Sequence, residues 1–383
     1  MRHRLRQARI ATSGVFFANG TGLGLWAGHI PVVQQGLEID AGLLSIALLS
    51  LALGAVLAMS MTGSCTARFG SPSCTAVAGA TYGLALALPV LAPGFGTLIA
   101  AALLLGAANG ATDVAMNTQA STVERSYGRP VMSSFHACFS LGGMAGALIA
   151  GALLALGSDP AIHLPVFGVL IAIVMAFAGT RLVRGAEEGG GGFAMPGSAA
   201  LGIGLLALMS LLAEGAIMDW SAVYLATIVA APPATATLGY AAFSIAMMTG
   251  RLTGDAVVGR LGRSRALVIS GLLASGGITI ATGVGTLVAG VIGFGIAGLG
   301  LANAVPILFS TAARLPGVAP GMGVAMVATL GYAGFLLGPP AIGFIAEASS
   351  LRWALLVILP AMLIVSLLGP RLVGVGRAAT TTT

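Results

Sequence analysis

Few residues of this chain are of a type that can carry chemistry, and most of those lie inside long apolar stretches. Asn109, Asp113 and Asn117 stand at i, i+4 and i+8, so a helix through them sets an amide, a carboxylate and an amide along one face. That stripe suits a proton-accepting carboxylate flanked by amides that hydrogen-bond a polar solute; the plainer alternative is a ladder of interhelical hydrogen bonds. Glu214 and Asp219 share the run Leu212-Ala-Glu-Gly-Ala-Ile-Met-Asp-Trp-Ser-Ala-Val-Tyr-Leu225. Five residues on a regular helix turn through about 140°, so one carboxylate is expected to face a cavity while the other pairs elsewhere. Asp113, Glu214 and Asp219 are therefore the candidate proton carriers, and Asn19, Asn109, Asn117 and Asn303 the candidate solute contacts.

Trp26 lies seven residues from Asn19 on nearly the same face, and Trp220 sits at a similar depth in its own segment. Both could stack on a sugar-like or planar solute. Trp26, His29 and Tyr224 also fit the position of interfacial anchors, with His29 a solvated histidine. Arg251 and Asp255 are spaced i, i+4 and form either a gate or a static salt bridge, Glu124, Arg125 and Arg129 supply a matching half, and Arg68 is a further gating candidate. His136 is expected to be a packing residue.

Long elements of one kind must position these residues. The sequence is 57% hydrophobic and 7% charged, with a mean hydropathy of +1.02, which leaves too little polar surface to coat a water-soluble globule of 383 residues. The expected class is an all-α integral membrane protein. Segments of about 20 apolar residues can be laid along nearly the whole chain. They number twelve, centred near residues 20, 52, 82, 109, 144, 172, 212, 248, 275, 300, 333 and 362.

Those segments fall into two similar halves. Phe139-Ser-Leu-Gly142 recurs as Phe335-Leu-Leu-Gly338, Leu105-Gly-Ala-Ala-Asn109 as Leu299-Gly-Leu-Ala-Asn303, Ala18-Asn-Gly20 as Ala213-Glu-Gly215, and Arg68-Phe-Gly70 as Arg260-Leu-Gly262. The offsets are 196, 194, 195 and 192 residues, close to half the chain, and they align Asn19 with Glu214. Duplicated apolar halves mark secondary transporters, whose bundles rock about a central site. The organisation expected is a six-helix bundle over 1–183, a Gly-rich cytoplasmic linker over 184–196, a second six-helix bundle over 197–376 and a disordered tail over 377–383.

The net charge of +6 does not imply nucleic acid, because the arginines are scattered singly between apolar segments. With few exceptions they fall on one side of the membrane, Arg352 sitting opposite, which puts both termini in the cytoplasm of a bacterial inner membrane. Cys65, Cys74 and Cys138 lack metal-ligand spacing and read as free thiols; neither a metal nor a cofactor is expected. An intramembrane enzyme would have to use Ser133 or Ser134 with His136, which share one helix and lack a supporting G-x-S-x-G or H-E-x-x-H pattern. A channel fits poorly with midplane carboxylates and duplicated bundles. The small-residue pairs Gly142/Gly146 and Gly334/Gly338 point to close helix packing, with a kink at Pro339-Pro340.

Taken together, the two repeats, the Arg68-Phe-Gly70 and Arg260-Leu-Gly-Arg263 loops and Gly338-Pro-Pro340 resemble the major facilitator superfamily. Within it, Ala213–Leu225, Asp113-Val-Ala-Met-Asn117 and Ser134-Phe-His-Ala-Cys-Phe-Ser-Leu-Gly-Gly143 resemble the YbjJ-like branch, which is related to fucose permease. The resemblance implies alternating access. The superfamily's loop after the second helix usually has Asp before Arg; here Ala67 precedes Arg68, with Ser71 and Pro72 where basic residues are common, which moves the expected latch toward Arg251 and Asp255. The expected activity is proton-coupled symport of a small polar solute by a protein that works as a monomer, with a drug or metabolite antiporter as the rival.

Overall fold

The computed structural model describes residues 2–128, 131–184, 198–315 and 320–374. They form fifteen helical stretches. The first half contains α1 (Arg2–Gly36), α2 (Ala41–Phe69), α3 (Ser71–Ala85), α4 (Phe95–Tyr127), α5 (Met132–Ala155) and α6 (Pro160–Gly179). The second contains α7 (Ser198–Thr227), α8 (Pro233–Ala236), α9 (Leu238–Leu261), α10 (Arg263–Val284), α11 (Leu287–Leu301), α12 (Ala304–Ala312), α13 (Pro320–Ala348), α14 (Leu351–Leu355) and α15 (Ile358–Gly374). The pairs α11/α12 and α14/α15 are each one interrupted span and α8 is a short turn between spans, so the fold has the expected twelve crossings. Among the described residues, nine spans are long and apolar enough to cross a membrane on length and composition alone. Exposed side chains such as Leu103, Leu104, Ile173, Phe177, Leu272 and Ile292 cover their outer faces with hydrocarbon.

Polar caps and glycines set the helix ends. Asp40 accepts the Leu43 N–H at 2.7 Å and starts α2, and Asp159 accepts the Ala161 N–H at 2.8 Å ahead of Pro160 at the start of α6. Gly70 between α2 and α3 has φ 87°, and Gly262 between α9 and α10 has φ 76°. The two Arg-x-Gly motifs thus make the same left-handed turn, which favours a residue without a Cβ.

The chain divides into two compact units, Met1–Gly190 with Ala231–Ala241, and Gly191–Ala230 with Ala242–Thr383. The packing scheme of the first recurs in the second. In unit 1, α1 packs on α5 and α6, and α3 on α4 and α6; in unit 2, α7 packs on α13 and α15, and α10 on α11 and α15. Glycines make these approaches close. A Cβ on Gly142 would meet the Phe17 carbonyl, and one on Gly334 the Leu208 carbonyl. Nearly all of the anticipated linker at 184–196, and the tail at 377–383, lie outside the described residues.

The halves part at two spans, where the second half has the interrupted α11/α12 and α14/α15 and the first the continuous α4 and α6. Asn109 lies inside the unbroken α4, whereas Asn303 sits at the break between α11 and α12. Pro306, which takes the repeat position of Thr112, has no N–H to offer the Ala302 carbonyl, and the helix restarts there.

Candidate functional site

Each unit carries its own polar cluster, built on repeat-related helices. In unit 1, Asn19 of α1 is 1% exposed and its Nδ2 donates to Asn109 Oδ1 of α4 at 3.0 Å. The Tyr82 hydroxyl of α3 donates to the Asn19 carbonyl at 3.0 Å, so three helices meet at this residue. One turn along α4, Asn117 Nδ2 donates to the Asp113 side chain at 3.1 Å and to its carbonyl at 2.9 Å. Asn109, Asp113 and Asn117 are half-buried while Ala108, Thr112, Ala115 and Met116 beside them are buried, so the stripe keeps one open edge. Trp26 is 4% exposed, and its indole N–H has no partner among the described residues.

In unit 2 the position equivalent to Asn19 is Glu214. Its Oε1 accepts from Arg251 Nη2 of α9 at 3.1 Å, with the two side chains 11% and 18% exposed. Sequence spacing alone suggests Asp255 for Arg251. On α9 Asp255 is exposed, whereas α7 brings Glu214 to the guanidinium, an approach between helices that i, i+4 counting does not register. Asp219 is half-buried and has no ionic or hydrogen-bond partner among the described residues, so the two carboxylates of α7 do face different surroundings. Trp220 is buried, with its indole N–H unpartnered among those residues, as is the Ser221 hydroxyl. Asn303 presses on α9 where a Cβ at Gly254 would meet its Oδ1.

The anticipated inner gate divides. Glu124 Oε2 accepts the Val131 and Met132 N–H groups at 2.7 Å each, so this carboxylate ties the end of α4 to the start of α5. Arg68 is exposed, with its guanidinium 5.2 Å from the Phe69 ring centroid, and Arg129 lies outside the described residues. His136 stacks edge-on against Phe16 with centroids 5.3 Å apart, in keeping with a packing role.

Trp26, His29 and Tyr224 are not interfacial anchors. All three are buried within the protein; the Tyr224 hydroxyl of α7 reaches the Thr282 carbonyl of α10 at 3.4 Å, and His29 meets His163 of α6 with Nε2 atoms 2.7 Å apart. Hydropathy reports depth along a span, and a helix in a bundle can turn a residue inward at any depth. Sequence reasoning misses Tyr82 and His163. Their only signal there is a polar ring inside an apolar segment, and for His163 a place at the start of its span that matches His29 at the end of another.

No protein-family model matches the chain. Relatives do. An uncharacterised MFS-type transporter of Yersinia pestis is 41% identical over 348 residues, 90% of this chain and 91% of that one. Membrane protein MosC of Rhizobium meliloti is 36% identical over 357 residues, covering 92% and 86%. Among solved structures, the nucleoside transporter NupG superposes with a TM-score of 0.71 at 15% identity, covering 98% of this chain and 100% of that one. A D-xylose-proton symporter superposes with a TM-score of 0.72 at 12% identity, covering 94% and 96%. With duplicated six-helix packing and relatives matched over nine-tenths of its length, the chain belongs to the MFS transporters, the major facilitator superfamily.

Proposed function

We propose that this protein is a proton-coupled symporter that takes up a small polar organic solute by alternating access across the bacterial inner membrane, with both termini cytoplasmic, and that it belongs to the YbjJ-like branch of its superfamily. The observation that carries the reading is Asp113, a half-buried carboxylate in a membrane helix whose hydrogen-bond partner is the Asn117 amide and not a cation. A charge at mid-bilayer costs about 3 kcal/mol or more, so such a group is retained for a use, and exchange of a proton with an aqueous cavity is the common one. Asp219 and Glu214 are the carriers proposed for unit 2. Asn19, Asn109, Asn117, Asn303 and the indole N–H groups of Trp26 and Trp220 are the proposed solute contacts.

Neutral amides and indoles suit hydroxyl-rich or heterocyclic solutes, and the fold likeness to a nucleoside transporter and a xylose symporter is in keeping with that class. A proton crossing 100 mV releases about 2.3 kcal/mol, enough for accumulation of about fiftyfold at one proton per solute. The test begins with thermal stabilisation of the purified protein by sugars, sugar acids, nucleosides, amino acids and lipophilic cations, followed by uptake of the stabilising solute into proteoliposomes under an inside-alkaline gradient. Asp113→Asn is expected to lose concentrative uptake and keep solute exchange. Unchanged gradient-driven uptake in that variant removes Asp113 from the mechanism, and proton-driven movement in the opposite sense makes the protein an exporter.

A further inference from the structure

We propose that His29 and His163 form a proton-operated latch between α1 and α6 at the end of unit 1 away from the N-terminus, closed when both rings are neutral and opened when a proton enters through Ser158. This inference rests on the geometry of the pair and stands apart from the assignment of Asp113.

The hydrogen bonds dictate the protonation state. His29 Nδ1 lies 2.7 Å from the Leu25 carbonyl oxygen, which can only accept, so Nδ1 carries a proton. In the neutral ring His29 Nε2 is then an acceptor, and the His163 Nε2–H, 2.7 Å away, must be the donor. That leaves His163 Nδ1 as an acceptor for the Ser158 hydroxyl at 3.0 Å. Every nitrogen of both rings is satisfied by this one arrangement of two neutral imidazoles, and the central bond joins residues 134 apart in the chain.

The arrangement also has a route for a proton and no outlet. Ser158 is half-buried beside the exposed Asp159, His163 is 5% exposed and His29 fully buried, so the chain of bonds runs from the surface inward. A proton arriving at His163 Nδ1 requires the Ser158 hydroxyl to turn from donor to acceptor. It can be passed on as the Nε2 proton to His29, but there the Leu25 carbonyl ends the line. The proton is stored on the pair, not conducted.

A charge on His163 still feels the Asp159 carboxylate, but once passed on to His29 it has no carboxylate beside it to hold it. The elements packed on α1 and α6 offer no carboxylate within hydrogen-bond distance of either ring among the described residues. Asp159 caps α6 through the Ala161 N–H, Asp40 caps α2 through the Leu43 N–H, and Glu38 is exposed in the loop between α1 and α2. Tyr82 of α3 is held by the Asn19 carbonyl, Asp113, Glu124, Arg125 and Tyr127 lie along the middle and far end of α4, and His136 is in the first turn of α5, at the opposite end from Ser158. An imidazolium at His29, buried and without a carboxylate acting on it, is relieved by admitting water, which means parting α1 from α6.

Spin labels at Gln35→Cys and Leu156→Cys, in a background with Cys65, Cys74 and Cys138 changed to serine, report the distance across this end within unit 1. Between about pH 8 and about pH 5 the distance is expected to lengthen by about 1–2 Å or more, the scale of helix shifts in switching proteins. His163→Gln keeps an N–H donor but cannot take up a proton in this range, and should hold the short distance at both pH values. His163→Phe removes the bond and should show the longer distance at both. A distance independent of pH in the parent, a response retained in His163→Gln, or a short distance in His163→Phe would each overturn the latch.

Discussion

The two units use one packing scheme and fill it with opposite chemistry. At the duplicated position in the first helix of each half, Asn19 forms a neutral amide pair with Asn109, and Glu214 forms an ion pair with Arg251. With the 192-residue offset of the Arg-x-Gly repeat that ends these helices, Arg251 corresponds to Met59, so unit 1 has no cation at that place. The helix seams diverge in step. In unit 1, a Cβ on Gly20 would meet the Phe139 carbonyl and one on Gly24 the Gly143 carbonyl, so α1 and α5 touch backbone to backbone. In unit 2, Gly215 faces the Phe335 ring, Asp219 stands where the repeat has Gly24, and Ile342 where it has Gly146. A duplicated scaffold can keep its architecture because small residues set the seams, while a few substitutions at those same seams open one half enough to admit a second carboxylate.

The contrast can be broken most forcefully at the ion pair. Arg251→Gln leaves Glu214 without its cation and should lower stability to unfolding in detergent by about 3 kcal/mol; adding Glu214→Gln should recover most of that loss. A double variant no more stable than the single one would show that Arg251 matters for packing and not for its charge. No such rescue should exist at the amide pair of the other half, where both partners are neutral.

The seams provide the next test. A Cβ at Gly142 runs into the Phe17 carbonyl, whereas at the repeat-equivalent Gly338 its nearest contact, the Leu212 carbonyl oxygen, is 3.5 Å away. Gly142→Ala should destabilise by about 1–3 kcal/mol and Gly338→Ala by less than about 0.5 kcal/mol, measured by thermal unfolding. Equal losses would mean that the two seams are alike. A more modest loss than at Gly142 is expected at Asn19→Ala, about 1 kcal/mol for one lost interhelical hydrogen bond. If that change weakens solute binding far more than it lowers stability, the amide pair belongs to the site and not only to the scaffold.

Much of the fold was legible because the membrane restricts the chain to few solutions. Spans of apolar residues must be helices, and the recurrence of Arg-x-Gly and Leu-Gly-x-Ala-Asn located the two halves before any contact was known. The polar stripe on α4 was legible too, since i, i+4 geometry is local. Partners across helices were not. Arg251 had Asp255 one turn away in sequence and took Glu214 instead; Glu124, assigned to a gate, closes the start of α5; and His29, given to the interface, meets His163 inside unit 1.

The sequence by itself determined that this is a duplicated helical membrane protein, and which few side chains carry polarity into its spans. Hydropathy, repeat offset and helical period are properties of neighbours along the chain. Tertiary structure alone decided which of those side chains are joined, because the rotation of each helix about its axis follows from how its small residues fit the next one, and that information is spread over segments more than a hundred residues apart. The His29–His163 bond is the clearest case: two rings that look ordinary in sequence become one buried unit when α1 and α6 meet.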